Sequence, residues 1–248
     1  MIKFFRRLRY DLMEKNKTAK YFKYAIGEII LVVIGILVAL GINNWNDQNN
    51  LTRKETALLI EMKSNLESDL EGLKWDINKN EYLLKANRIV LKSLNIGVYH
   101  DSLNQYYTWI KGNTVFVKNT SAFKNLESFG LDIIKNDSLR IKITNLYSTR
   151  YEYIRYIEQV RDEKFQYEQM IPQITKHLRL SSENLYEPIN VDELSQNNEF
   201  KSIIKLNCDM RNYIITIYKD IEKMITELIE AIELELKDKK PKHNEGQK

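Results

Sequence analysis

The stretch LTRKETALLIEMKSNLESDLEGLKWDINKNEYLLKANRIVLKSLNIG, residues 51–97, decides the fold class. Its apolar side chains Leu59, Met62, Leu66, Leu70, Leu73, Ile77, Leu84, Leu91 and Leu94 recur in steps near 3.5, and Asn80 and Asn87 fill the seam positions that the apolar residues skip. Such steps return to one face of an α-helix, so the spacing predicts one long amphipathic helix. No proline interrupts it, and Gly97 supplies a C-terminal stop. A helix with a single apolar stripe has to cover that stripe against something else.

The rest of the chain offers the partners. Residues 98–118 read as a short helix followed by a loop around Gly112 and Asn113. Asn119 or Thr120 then caps a helix that Gly130 ends, and Asn136 or Asp137 caps a long one running to about Met170. Leu139, Ile143, Leu146, Ile154, Ile157 and Phe165 form the buried stripe of that long helix. Pro172 and LSSENLYEPIN, with Pro188, mark a break or irregular connection. A last helix from about Asn198 to Leu236 carries Ile214, Tyr218, Ile221, Ile225, Leu228 and Ile232 at heptad steps. Three prolines and eight glycines in 248 residues disfavour turn-rich sheet folds, and 43% hydrophobic residues suffice for a core. The expected fold class is therefore all-α: one N-terminal transmembrane helix followed by an extramembrane antiparallel helical bundle with long helices.

The transmembrane assignment comes from YAIGEIILVVIGILVALGINNW, Tyr24 to Trp45. From Tyr24 to Ile42 it holds one charge, Glu28, and 19 helical residues reach about 28 Å, close to the hydrocarbon thickness of a bilayer. Tyr21, Phe22 and Tyr24 flank one end and Trp45 the other, as headgroup-level aromatics do. The overall charge of +4 conceals a local one: residues 1–23 hold eight Lys and Arg against Asp11 and Glu14, whereas only Arg53 and Lys54 are basic in the 20 residues after Ile42. Cations crowded on one side of a span give a cytoplasmic N-terminus and an outer C-terminal domain. A nucleic-acid binder would spread them over a folded face instead, so no nucleic-acid partner is expected. The expected layout is a basic cytoplasmic tail over 1–23, a transmembrane helix over 24–43, a periplasmic bundle over 44–237 and a flexible charged tail over 238–248. A competing reading is a cleaved signal peptide, for which Ala39-Leu40-Gly41 offers small residues; its charged region of over 20 residues is long for one.

Two segments carry a resemblance. KYFKYAIGEIILVVIGILVALGINNWND, behind the basic MIKFFRRLRY, and NTSAFKNLESFGLDIIKNDSLRIKITNLY, Asn119 to Tyr147, resemble the two recurring blocks of an uncharacterised bacterial single-pass membrane protein family (domain of unknown function 6090). The resemblance implies a Gram-negative inner-membrane location and supplies no activity.

Candidate sites follow from residue type. Glu28, Gly35 and Ala39 share one helical stripe, where an acid coincides with a small-xxx-small pattern. Three readings stand for Glu28: an interfacial anchor near Lys23, a helix-association stripe, or a proton carrier in an ion-coupled membrane complex. Tyr147, Tyr151, Tyr153, Tyr156 and Tyr167, with Arg150 and Arg155 among them, read either as a ligand or interaction surface or as rings straddling the core edge. Arg211 and Asn207 extend the seam of the last helix, either to fix register or to line a small pocket. Cys208 is alone, and His100, His177 and His243 lack a second ligand at helical spacing, so no disulfide within the chain, cofactor or metal is expected. The function expected from these features is a membrane-anchored interaction protein, binding the lipid bilayer and either another protein or itself, without catalysis. The alternatives are a sensor-like small-ligand module and the ion-coupled subunit.

Overall fold

A computed structural model describes Tyr10 and residues 18–239. The tails expected at either end fall mainly outside the described residues. The chain divides into two compact units, residues 1–54 and 55–248. It is 84% helical, with further helices after a long N-terminal apolar one, as the periodicity predicts.

The first helix, α1, spans Thr18–Ile96, 79 residues, and includes the polar run Asn43–Asn50 without a break. In the first unit its apolar side chains from Ile26 to Ile42 are exposed, and no residue in the most apolar 18-residue window is buried. In the second unit the same helix changes character: Leu59, Met62, Leu66, Leu73, Ile77, Leu84 and Leu94 are buried, as are Asn80 and Asn87. Gly97 ends it with φ 68°, a conformation a β-carbon resists.

The bundle over 55–239 has three long staves. After α1 come a 3-10 turn, Asp101–Leu103, and α2, Asn104–Thr108. Residues 112–120 then run extended, with Thr114 and Phe116 buried and Val115 and Val117 exposed, the period of two proper to a strand. This segment descends along α1, since Ile110, Thr114 and Asn119 meet Asn87, Asn80 and Asp69 in that order. It takes the place that a fourth helix fills in a four-helix bundle. Helix α3, Ser121–Phe129, follows and stops at Gly130, φ 97°.

The second stave is a helix punctuated by wide turns. Its α-helical parts are α4 Asp137–Thr144, α5 Tyr151–Tyr156, α6 Glu163–Phe165 and α7 Ile171–His177. Between them lie π-helical turns Asn145–Arg150, Ile157–Asp162 and Gln166–Met170. Asn136 caps its start, accepting from Leu139 N at 3.1 Å. The buried positions explain the punctuation: Leu139, Ile143, Tyr147 and Tyr151, then, after one step of three, Ile154, Glu158, Asp162, Gln166, Met170 and Ile174, repeat at intervals of four. In a regular α-helix each step of four drifts about 40° around the axis, so this run would spiral away from the core. Wider π turns cancel the drift and hold the stripe on one face.

The expected break at Pro172 does not occur; the helix continues to His177. Pro172 is the second residue after the last π turn, in the first turn of a renewed α segment, where its missing N–H is not needed. Beyond it, β1 Leu178–Leu180 and β2 Tyr186–Pro188 form a short antiparallel ribbon, Leu178 opposite Pro188. Helix α8, Val191–Gln196, leads into α9, Asn198–Lys239, the third stave. Pairs Lys63–Glu233 and Lys219–Glu81 set α9 antiparallel to α1. Contacts of Glu158, Asp162 and Gln166 with Tyr218, Arg211 and Asn207 set it antiparallel to the π-punctuated stave.

Two large apolar clusters result, with a small third of Leu84, Cys208 and Ile215. One gathers Leu59 to Ile77 of α1 with α3, the first half of the second stave and Ile214 to Ile232 of α9. The other gathers Val90 and Leu94 with α2, Met170, Ile174 and the start of α9.

Candidate functional site

Between the apolar clusters lies a layer of buried polar side chains, supplied by every stave. Arg211 of α9 is fully buried; it forms an ion pair with Asp162, and its Nη1 donates to Asn80 Oδ1 at 2.9 Å. Asn80 Nδ2 donates in turn to Thr114 Oγ1 at 2.7 Å, leaving the Thr114 hydroxyl to meet Tyr218 Oη at 2.9 Å. The Tyr218 hydroxyl donates to Glu158, whose Oε1 also accepts from Phe116 N at 3.1 Å. On the other side of Asp162, Gln166 Nε2 reaches Asn207 Oδ1 at 2.9 Å, and Asn207 Nδ2 donates to Ile110 O at 2.6 Å and Asn87 Oδ1 at 3.1 Å. The layer is one connected path from Glu158 to Asn87.

The chemistry of the layer is set by dehydration. Burial pushes the Glu158 carboxyl up to about 7, against the pull of the Tyr218 hydroxyl and the Phe116 amide. Burial also raises the Asp162 carboxyl, opposed by the Arg211 guanidinium. Tyr218 is held above the ordinary tyrosine range, first by burial and then by the nearby Glu158 charge. A buried acid poised near neutrality gains or loses a proton within the ordinary range of environmental pH.

A second polar cluster fixes the extended segment to the first apolar cluster. Asp69 accepts from Asn119 N and from the Tyr151 hydroxyl, both at 2.7 Å. Asn119 Nδ2 donates to Asn65 Oδ1 at 2.9 Å, and Asn65 Nδ2 to Ser121 Oγ at 2.9 Å. Burial raises the Asp69 carboxyl despite these donors. Phe123 stacks on Tyr147 at 4.6 Å beside it, and Tyr151 lies edge-on to Tyr147.

The structure separates the residues expected to form one surface. Tyr147 and Tyr151 are inside the core, whereas Arg150 and Arg155 face solvent, Arg155 pairing with Glu152 at 2.8 Å. Arg150 lines a cavity of about 300 Å3 with Tyr153, Asp220 and Met224. Arg211 sits in the polar layer, away from all four. Glu28 is half-buried, Gly35 and Ala39 are exposed, and a β-carbon placed on Gly35 would meet nothing within 4 Å. Of His100, His177 and His243, the last lies outside the described residues. Besides Thr114, the members that sequence reasoning missed are Glu158, Asp162 and Gln166. Their signal is the interval of four that continues Ile154 to Met170 through polar residues, facing Asn207 and Arg211 at the same interval.

The class defined by this architecture is an all-α protein with, among the described residues, one helix long and apolar enough to cross a membrane. The chain belongs to a family of unknown function (DUF6090), whose pattern matches residues 28–187, from the apolar run through β2. The match takes in the second block whole and the first from Glu28 onward, leaving out Lys20–Gly27 and the basic MIKFFRRLRY ahead of it. No curated protein and no solved structure matches the chain.

Proposed function

We propose that the protein is a single-pass inner-membrane anchor that holds residues 55–239 in the periplasm as a helical bundle for binding another protein or a second copy. The observation that carries this reading is the apolar run Ile26–Ile42, whose aliphatic side chains are left uncovered. Water does not tolerate such a surface, and lipid does. The excess of cations before the run supports a cytoplasmic N-terminus. The interaction role draws on the bundle's outer face, where Trp75, Val117, Ile141 and Tyr167 are more than half exposed. Large apolar side chains of this kind are typical anchors at protein interfaces.

The test is a pair of carboxyl-terminal fusions, one reporter active only in the cytosol and one active only outside it. The outer reporter alone should respond, and a cytosolic signal refutes the orientation. For the interaction, a photo-cross-linking residue at Val117 or Ile141 in intact cells should give one discrete adduct that the same residue at Lys74 does not give.

A further inference from the structure

The polar layer reaches the surface beside the last π turn. There a cavity of about 320 Å3 is lined by Thr108, Trp109, Lys111, Asn113, Gln166 and Tyr167, among others. We propose that this cavity binds a small hydroxylated ring bearing one carboxylate, a monomeric sugar acid. Its size lies at the lower end of the ~300–1,000 Å3 usual for ligand pockets, which suits a single ring.

Each part of that ligand answers to a group in the lining. Trp109 and Tyr167 are exposed at 42% and 64%, offering aromatic faces to the apolar side of a sugar ring. Trp109 is already oriented by Tyr82, edge-on at 5.5 Å, so this platform exists before a ligand arrives. Lys111 Nζ is held 3.2 Å from the Tyr186 hydroxyl and 4.8 Å from its ring centre, with no ion pair to any carboxylate among the described residues. An ammonium fixed without a counter-ion, in a lining that contains no carboxylate, selects an anion. The Asn113 amide makes no hydrogen bond among the described residues and is available to hydroxyls. The floor is Gln166, buried, with Oε1 accepting from Gly112 N at 3.1 Å and one acceptor position left. Because Gln166 also touches Asp162 and Asn207, occupancy of the cavity bears directly on the buried layer.

Full-length protein carrying Trp45→Phe and Trp75→Phe, in detergent micelles, keeps Trp109 as its only tryptophan and reports on this cavity by fluorescence. Glucuronate, galacturonate and N-acetylmuramate are titrated against glucose, which lacks the acid, and benzoate, which lacks the hydroxyls. At least one sugar acid should give a saturable change at roughly millimolar concentration, with glucose and benzoate about tenfold weaker or more. Lys111→Met should abolish that change, and Asn113→Ala should weaken it about tenfold while leaving the helical circular dichroism intact. The proposal fails if no sugar acid shifts the emission at ~50 mM, if glucose or benzoate binds as well, or if the response survives in both variants.

Discussion

The apolar run of α1 and the polar layer of the bundle are opposite departures from the usual rule of burial. Between Ile26 and Ile42 large aliphatic side chains are uncovered; between Asn80 and Asn87, Asp162, Arg211 and Glu158 are sealed from water. The first arrangement calls for a cover from outside the described residues, which in the proposed reading is a bilayer. The second is answered within the chain, since each buried charge finds an opposite charge or hydrogen-bond donors on a neighbouring stave. One region thus speaks about environment and the other about internal register. A polar layer of this kind tolerates few sliding or rotated alternatives, because displacement leaves charges unpaired in a dry interior.

The sharpest way to break this contrast is to orphan one member of the ion pair. Arg211→Met leaves the Asp162 carboxylate buried beside Gln166 alone and should cost about 3–5 kcal/mol in urea unfolding. Arg211→Met combined with Asp162→Leu should recover most of it, because no charge is then left without a partner; the layer would be less important than argued if the single variant were as stable as the parent. For the other region, Ile34→Arg should cost about 2.5–3.5 kcal/mol of insertion and reduce recovery of the protein in the membrane fraction.

Proton linkage distinguishes the regions further. The folded chain holds the Glu158 proton more tightly than the unfolded chain, so its contribution is full below the ordinary glutamate value near 4.5 and is lost as pH rises through about 7. Unfolding free energy measured from pH 4.5 to 8 should fall by roughly 3 kcal/mol from this group. Glu158→Gln should flatten that slope, and an unchanged slope would show that the proton resides elsewhere. The smallest effect belongs to a surface pair joining the extended segment to the same stave: Lys118→Ala, which leaves Glu152 to Arg155, should change stability by less than about 1 kcal/mol.

Much of this architecture is legible in the residues. Leu59 to Leu94 at heptad steps announced the bundle part of α1, Gly97 and Gly130 announced its end and that of α3, and the cap of the second stave was narrowed to Asn136 or Asp137, of which Asn136 serves. Asn80 and Asn87 stood out because they interrupt an apolar seam, and Arg211 and Asn207 because they extend one. The extended segment 112–120 was less visible, because four alternating residues, Thr114 to Val117, are too few to separate a strand from a loop. The continuation through Pro172 was hidden because the rule that proline ends a helix presumes α-type pairing throughout. The ribbon of β1 and β2 has only three residues a side, below what periodicity resolves.

By itself the sequence determined the helical class, the lipid-length run and the seam of α1, because each depends on spacing along one chain and on transfer from water. Tertiary structure alone decided that Glu158, Asp162 and Gln166 point inward to meet Tyr218, Arg211 and Asn207. An isolated acid on a helix belongs in water, and only a partner delivered from another stave makes its burial tolerable. Nearness of residues some fifty positions apart is a property of packing, which no local pattern encodes.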